Sequence, residues 1–525
     1  MNSRNEPISQ PRDDNNKPPA IDLDDVYIEE NEEQGGSAAP QKPNKVFLEL
    51  CEEISDWKLE AKLEDNNRYF FHINEVQRIE QGKRSFVIGR KGCGKTAISE
   101  YLCNQSTALT FSIKLTFKNF PFNELYELKD SGYTGSHQYI TVWKFLIYSH
   151  VCQLMAQNNG IDNAVREKLH RAYVDNQAPT LPRRINRWLD RDFGLEIFGV
   201  GVNVGSASTN ETRRISLIER VNKLEDIVLS SIDESKYLIV FDELDEDYKN
   251  ITDQEQFDKY TSLITGLFKA TQDVRSVFSK TKNNLFPIVF LRDDIYELIQ
   301  DSDKTKWNDL KIELEWDAER IKKLIAFRIS RAIDQEGPIL SFNDAWHKLF
   351  STTDLRLGNR GRKTLHSFDF IARSTHLRPR DFIQYLKSCC EQVISLETNL
   401  NEVSPRIIRK VDTAFSNYLK SELADEIHGI VPDVNAIFDI LSQLRKWSFS
   451  VQEFTDAYNR QRKLSNLKEK DAIFILQILF LFSVIGNHWR GGREMFRYKH
   501  KEHRLNFDDS IVVHRGLFKA LQIGI

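Results

Sequence analysis

The chain has 525 residues and a mass of 61.3 kDa, too much for one ordinary domain; at roughly 150 residues each it holds about three. With 40% hydrophobic and 29% charged residues it reads as globular, and a formal net charge of −4 excludes a wholly basic nucleic-acid coat. Six cysteines without CxxC spacing, and no charged-then-apolar leader, predict a cytoplasmic protein with reduced thiols.

Residues 1–45 are rich in Asp, Glu, Asn, Pro and Gln and carry a net −5. Such a segment buries too little apolar surface to offset its ordering entropy, so a disordered acidic tail is expected. A nucleotide-binding core is expected over 46–314. It opens with Phe47, Leu48, Leu50, Cys51, Ile54 and Trp57 at helical spacing. Short apolar strands follow at Ser85–Ile88, Leu109–Thr116, Tyr237–Phe241 and Pro287–Leu291, a helix beginning at Thr96 after the first. Apolar strands alternating with helices predict an α/β fold, a parallel sheet flanked by helices on both faces. An insertion at about 120–210 is read as helices over 137–176 and a β-hairpin over 193–206, where four glycines sit in an alternating pattern. A helical lid is expected over 315–428, and a winged-helix-like basic domain over 429–525, with strand-like runs at Glu494–Lys499 and Ile511–Val513. The longest apolar run, Ala472–Gly486, is interrupted by Gln477 and is too short to span about 30 Å of hydrocarbon, so it is read as a buried helix, with no membrane span.

The chemistry starts at Gly89-Arg90-Lys91-Gly92-Cys93-Gly94-Lys95-Thr96, which fits G-x-x-x-x-G-K-[ST]. Its glycines let successive backbone N–H groups face one anion at the positive end of the following helix. Lys95 reaches the β- and γ-phosphates of ATP, and the Thr96 hydroxyl ligates Mg²⁺. The strand Leu238–Phe241 delivers Asp242 and Glu243 at its carboxyl end, where this fold brings a metal partner to the phosphates. Asp242 is the expected Mg²⁺ carboxylate, and Glu243 the group that orients and deprotonates the attacking water; Asp245, Glu246 and Asp247 read as a solvated turn. Arg292, at the end of the fourth strand, is a candidate γ-phosphate contact, against the alternative of salt bridges to Asp293 and Asp294. Arg378 and Arg380 flank Pro379 at a helix start, an unfavourable end of the dipole for cations. A guanidinium on a lid there can touch the γ-phosphate in one nucleotide state only, with Arg380 preferred over Arg378.

Together, GRKGCGKT, IVFDELDE, FLRDD and RPRD, with the terminal winged-helix-like segment, resemble a bacterial stand-alone P-loop ATPase related to the AAA+ and STAND ATPases, replication-initiator types included. The resemblance implies an ATP–Mg²⁺ site, a helical lid and a winged helix, in a group often found in mobile-element and phage-defence settings. Arg292 departs from it, since AAA+ proteins usually carry Asn, Thr or Ser there.

Residues 440–525 hold 15 Lys and Arg against 8 Asp and Glu, a local excess of +7. Arg490, Arg493 and Arg497 lie among Trp489, Phe496 and Tyr498, which suits DNA backbone contact; docking of an effector protein is the alternative. Two functional readings stand: an ATPase whose hydrolysis moves the lid and terminal domain, and a nucleic-acid- or protein-docking switch that binds ATP and hydrolyses it slowly. A kinase would need an acceptor pocket, and Glu243 favours water. No structural metal is expected, and a homo-oligomer stays open.

Overall fold

In the computed structural model, residues 45–524 are described apart from 106, 108, 118–121, 129–134, 176–177, 190–215, 248–253, 280–283, 358–362, 397–399, 466–469 and 490–491. The predicted acidic tail, apart from Lys45, and the predicted hairpin over 193–206 lie outside these residues.

The core is a five-stranded parallel sheet in the order β2-β3-β4-β1-β5. Its strands are β1 (Phe86–Gly89), β2 (Thr110–Thr116), β3 (Lys236–Asp242), β4 (Asn284–Arg292) and β5 (Lys311–Leu314). Sequence reading finds the first four; β5 is an addition, missed because its Lys311 and Glu313 alternate with Ile312 and Leu314 rather than forming an apolar run. Side chains on successive positions of a strand point to opposite faces. Val87, Val240, Ile288 and Phe290 accordingly pack with Ile98 and Leu102 on one face. Phe86, Ile88, Phe241, Val289 and Leu291 pack with Leu263 and Phe268 of the long helix Gln254–Phe278 on the other. Both faces are covered, as a parallel sheet requires.

This strand order has a functional consequence. β4 lies between β1, which leads into the phosphate loop, and β3, which ends at Asp242. Arg292 therefore emerges between the two.

In the insertion, helix Ile140–Met155 is buried along nearly its whole length and packs on Leu217–Ser231, which a Ser216–Glu219 capping box starts. The lid stretch contains helices Ala318–Ile333, Phe342–Trp346, Ser367–Ser374, Pro379–Ser395 and Pro405–His428, and a small hairpin of β6 (Leu355–Leu357) and β7 (Lys363–Leu365). The first helix, Lys45–Ser55, packs on Pro379–Ser395 and Ala318–Ile333, through Phe47, Leu50, Cys51 and Ile54.

The last segment packs helices Val434–Leu444, Val451–Ser465 and Ala472–Leu481 with an antiparallel sheet in the order β10-β9-β11-β8. These strands are β8 (Ser448–Phe449), β9 (Ile485–Trp489), β10 (Arg493–Met495) and β11 (Ser510–Val513). The run read as one buried helix divides. Its helix stops at Leu481, Ser483 turns in the left-handed region at φ 57°, and β-branched Val484 and Ile485 enter β9. Among the described residues no helix is long and apolar enough to cross a membrane.

Candidate functional site

β1 ends at Gly89, and the chain then curls into helix Lys95–Asn104. Gly92 (φ 79°) and Gly94 (φ 98°) sit in the left-handed region, which costs glycine nothing. At Gly92 a Cβ would lie 3.2 Å from Cβ of Arg380, so a side chain there would press on the lid. Lys95 Nζ donates to the carbonyls of Gly89 (2.7 Å) and Arg90 (2.9 Å), which folds the ammonium over the loop. Trp316, from the far side, donates its indole N–H to the Cys93 carbonyl at 2.9 Å.

The acids come next. Asp242 is buried, and its Oδ1 accepts the Glu243 backbone N–H at 2.9 Å. Its Oδ2 accepts from Ser99 Oγ at 2.7 Å and pairs with Lys114 Nζ at 3.0 Å. Burial pulls the Lys114 pKa down, but the carboxylates of Asp242 and Glu100 outweigh it and leave it raised. Glu243 occupies the left-handed region (φ 58°), a conformation that costs a side-chain-bearing residue energy and clusters at functional sites. Both its carboxylate oxygens accept from Lys62 Nζ, at 2.7 and 2.9 Å.

Each candidate arginine has protein partners. Arg292 forks onto Asp294 (Nη2–Oδ2 2.6 Å, Nε–Oδ1 3.0 Å) and lies 3.5 Å from Asp245. Burial works against its charge, yet these acids carry its pKa well above the usual arginine value. Arg378 is fully buried against Asp381 and Glu426, the latter at 2.6 Å, and reaches the Lys91 carbonyl at 3.4 Å. Arg380 lines the cavity over the loop, its backbone N–H on the Gly92 carbonyl and its guanidinium 3.4 Å from Glu422, which Lys91 also pairs with. Arg90 leaves the loop the other way. It contacts the His376 carbonyl (3.4 Å) and Nδ1 (3.1 Å), and lies 5.7 Å over the Tyr498 ring. Burial, with the nearby cationic side chains, holds His376 and His514 far below the usual histidine range, so both are neutral.

A cavity of about 320 Å³ opens on the loop. Residues 91–98, Asp242, Glu243, Arg292 and Arg380 line it, and so do the apolar Tyr69, Phe70, Trp316, Leu324 and Ile383. Phe70 is backed by Tyr101, stacked at 4.0 Å. Sequence reading misses this wall: Tyr69 and Phe70 lie far in sequence from Trp316, Leu324 and Ile383, and no local pattern links them. It also misses Lys62, Ser99 and Lys114, whose partners are remote in the chain. The residues fit a nucleoside triphosphate with its cation. The glycine cradle, the folded-in ammonium of Lys95 and the buried Asp242 suit phosphates and a divalent ion, and the aromatic wall suits a base.

The basic C-terminal side chains divide. Arg493 and Trp489 are exposed, the latter by 53%. Arg497 pairs with Glu297 and Lys501 with Glu313, so both turn onto the core. Arg490 lies outside the described residues. The described cysteines are free thiols, and among the described residues no group of three or more His, Cys, Asp or Glu could hold a metal ion.

Strand order and loop define the fold class: an α/β protein with a parallel sheet of the P-loop NTPase type and mostly helical segments after it. Residues 319–424, most of the lid stretch, match the family described as FunZ-associated C-terminal helical domain. No curated protein matches the chain. Solved structures similar to it include Drosophila ORC bound to DNA, at 10% identity and a TM-score of 0.29 over 95% of this chain and 97% of that one. Another is Cdc6p from Pyrobaculum aerophilum, at 11% identity and a TM-score of 0.28 over 90% of this chain and 96% of that one.

Proposed function

We propose that the chain binds ATP with Mg²⁺ and hydrolyses it, using the cycle to move the lid and the C-terminal domain. One observation carries this reading: the glycine loop, the Asp242–Glu243 strand end, Arg292, Arg380 and an aromatic wall converge on one cavity. In this reading the loop N–H groups and Lys95 hold the β- and γ-phosphates, and Thr96 and Asp242 hold the cation. Bound Mg²⁺ adds positive charge where the leaving oxygens gain negative charge. Glu243 takes a proton from the water whose oxygen attacks the γ-phosphorus, as the bond to the bridging oxygen breaks. Arg380 neutralises charge on the γ-phosphoryl, and Arg292 orders the strand end beside it.

Transmission follows from contacts at the loop. Arg378 and Arg380 touch the Lys91 and Gly92 carbonyls from the lid, and Arg90 reaches Tyr498 of the C-terminal domain. A loop that closes on phosphates therefore pulls on both. The C-terminal domain, winged-helix-like in its helices and hairpin, presents Trp489 and Arg493 to DNA backbone or to an effector protein. The sequence resemblance supports a mobile-element or phage-defence setting.

The Lys62 pairing favours a second reading, a switch with slow hydrolysis, because both Glu243 carboxylate oxygens already accept from the Lys62 ammonium, which must move before a water can be held there. Calorimetric titration of ATP with Mg²⁺ into wild type and Lys95→Ala tests the main proposal. Wild type is expected to bind, and the variant at least about a hundredfold more weakly, as charge-assisted bonds to phosphate are lost. Equal affinity in both chains would sink it.

A further inference from the structure

Lys114 lies outside every motif of the site, yet it is the cation nearest its buried carboxylate. A carboxylate offers about four lone-pair positions. On Asp242 Oδ2, Ser99 Oγ (2.7 Å) and Lys114 Nζ (3.0 Å) fill both. On Oδ1, the Glu243 N–H (2.9 Å) fills one. Among the described residues one position remains unfilled, on Oδ1. Lys114 reaches Asp242 because β2 runs parallel beside β3 in the register Lys114↔Val240 and Thr116↔Asp242. It also bonds Glu100 at 2.9 Å on the phosphate-loop helix, so it joins β2, β3 and that helix at one point.

We propose that Lys114 is a positioning residue for the metal-binding carboxylate: with Ser99 it holds Asp242 Oδ2, leaves one Oδ1 position for the cation or a water on it, and cancels part of the charge that attracts the cation. The inference rests on Asp242 being the Mg²⁺ partner. Two acids, Asp242 and Glu100, face one ammonium here. By themselves they would attract a divalent ion; with Lys114 between them, capture of Mg²⁺ depends on the phosphates that arrive with it.

The test is a Mg²⁺ titration of the full chain, followed by binding of a fluorescent ATP analogue. Lys114→Gln keeps a donor to Asp242 and removes the charge; Lys114→Arg keeps the charge. In Lys114→Gln the Mg²⁺ concentration for half-maximal effect should fall at least about fivefold, since a positive charge close to the ion is gone. In Lys114→Arg it should stay within about twofold of wild type by the same electrostatic argument. Coincident curves for wild type and Lys114→Gln overturn the proposal. Glu100→Gln leaves Lys114 wholly to Asp242 and should raise the Mg²⁺ requirement at least about twofold. It carries the test should Lys114→Gln fail to fold, and an unchanged curve there also overturns the proposal. A second arm uses Mg²⁺ alone on the nucleotide-free chain, read as a rise in Tm. If wild type binds no nucleotide at all, the ATP reading falls, and this arm still decides. Lys114→Gln should show a saturable rise at Mg²⁺ concentrations where wild type shows little or none, and a variant curve no different from wild type's rejects the clamp.

Discussion

The cavity of about 320 Å³ over the phosphate loop and a larger one of about 630 Å³ behind it share that loop as a wall, and both are rich in charge. In the larger, lined from the core, the lid stretch and the last segment, charges pair off: Arg292 with Asp294, Arg378 with Glu426 and Lys501 with Glu313, while its Arg497 pairs with Glu297. In the smaller, the residues of a single loop and the acids of a single strand end line one space together with aromatic residues. Size and charge do not mark a site; convergence of unlike donors does. The larger cavity reads as a joint, where ion pairs brace the lid stretch from within (Arg378–Glu426) and tie the last segment to the core (Arg497–Glu297, Lys501–Glu313), and the smaller as a place for a ligand.

Three variants sharpen this contrast. The largest effect is expected at the joint. Arg378→Met leaves Asp381 and Glu426 buried without their cation and should cost about 3–5 kcal/mol of stability, read as a lower Tm. The loss should depend on pH. Burial raises the Glu426 pKa, but Arg378, Lys91 and other cations outweigh it and hold it below the usual value of 4.5. Its contribution is therefore present above that value and disappears as pH falls through the lowered one, so wild type and variant should converge in acid. An equal Tm for both at neutral pH would mean that the joint is not held by these pairs.

Glu243→Gln, in the smaller cavity, should leave the fold and ATP affinity intact and lower kcat by about a hundredfold or more, because the amide keeps the shape and loses the base. Phosphate release near the wild-type rate would remove Glu243 from that role. The smallest effect is expected at the C-terminal surface. Replacing Arg490, Arg493 and Arg497 together should weaken duplex DNA binding for all sequences alike and flatten its dependence on salt, since backbone contacts release counterions. Gel shifts at low and physiological salt read this. Absence of any wild-type shift at low salt would favour a protein partner. Because Arg497 is paired with Glu297, exposed Arg493 should contribute more of the change than Arg497.

The contrast also sets how far the sequence could be read. The phosphate loop is a contiguous string, and its fold follows from glycine placement and the strand before it. Asp242 is legible because four apolar residues deliver it. What holds these groups was not legible: Ser99 meets Asp242 across 143 residues, and Lys62 meets Glu243 across 181. Such pairs depend on sheet register and on where the lid and N-terminal segment close, which no local pattern encodes. Arg378 was legible as a helix-start arginine, but not its burial, because Glu426 lies two helices away in the lid. β5 and the break at Ser483 were hidden for another reason: each departs by one or two residues from a uniform apolar run.

The indole of Trp316 is bonded to the Cys93 carbonyl, on the loop that the phosphates would meet, and its ring forms part of the aromatic wall. Four of the eight tryptophans, Trp57, Trp143, Trp307 and Trp346, are fully buried elsewhere. Trp316 is half-buried, at the edge of the cavity. Any rearrangement of the loop changes the polarity and hydrogen bonding of that ring. The chain thus carries a built-in optical gauge: the part of its ultraviolet emission lost in Trp316→Phe should respond to movement of the loop, without a label.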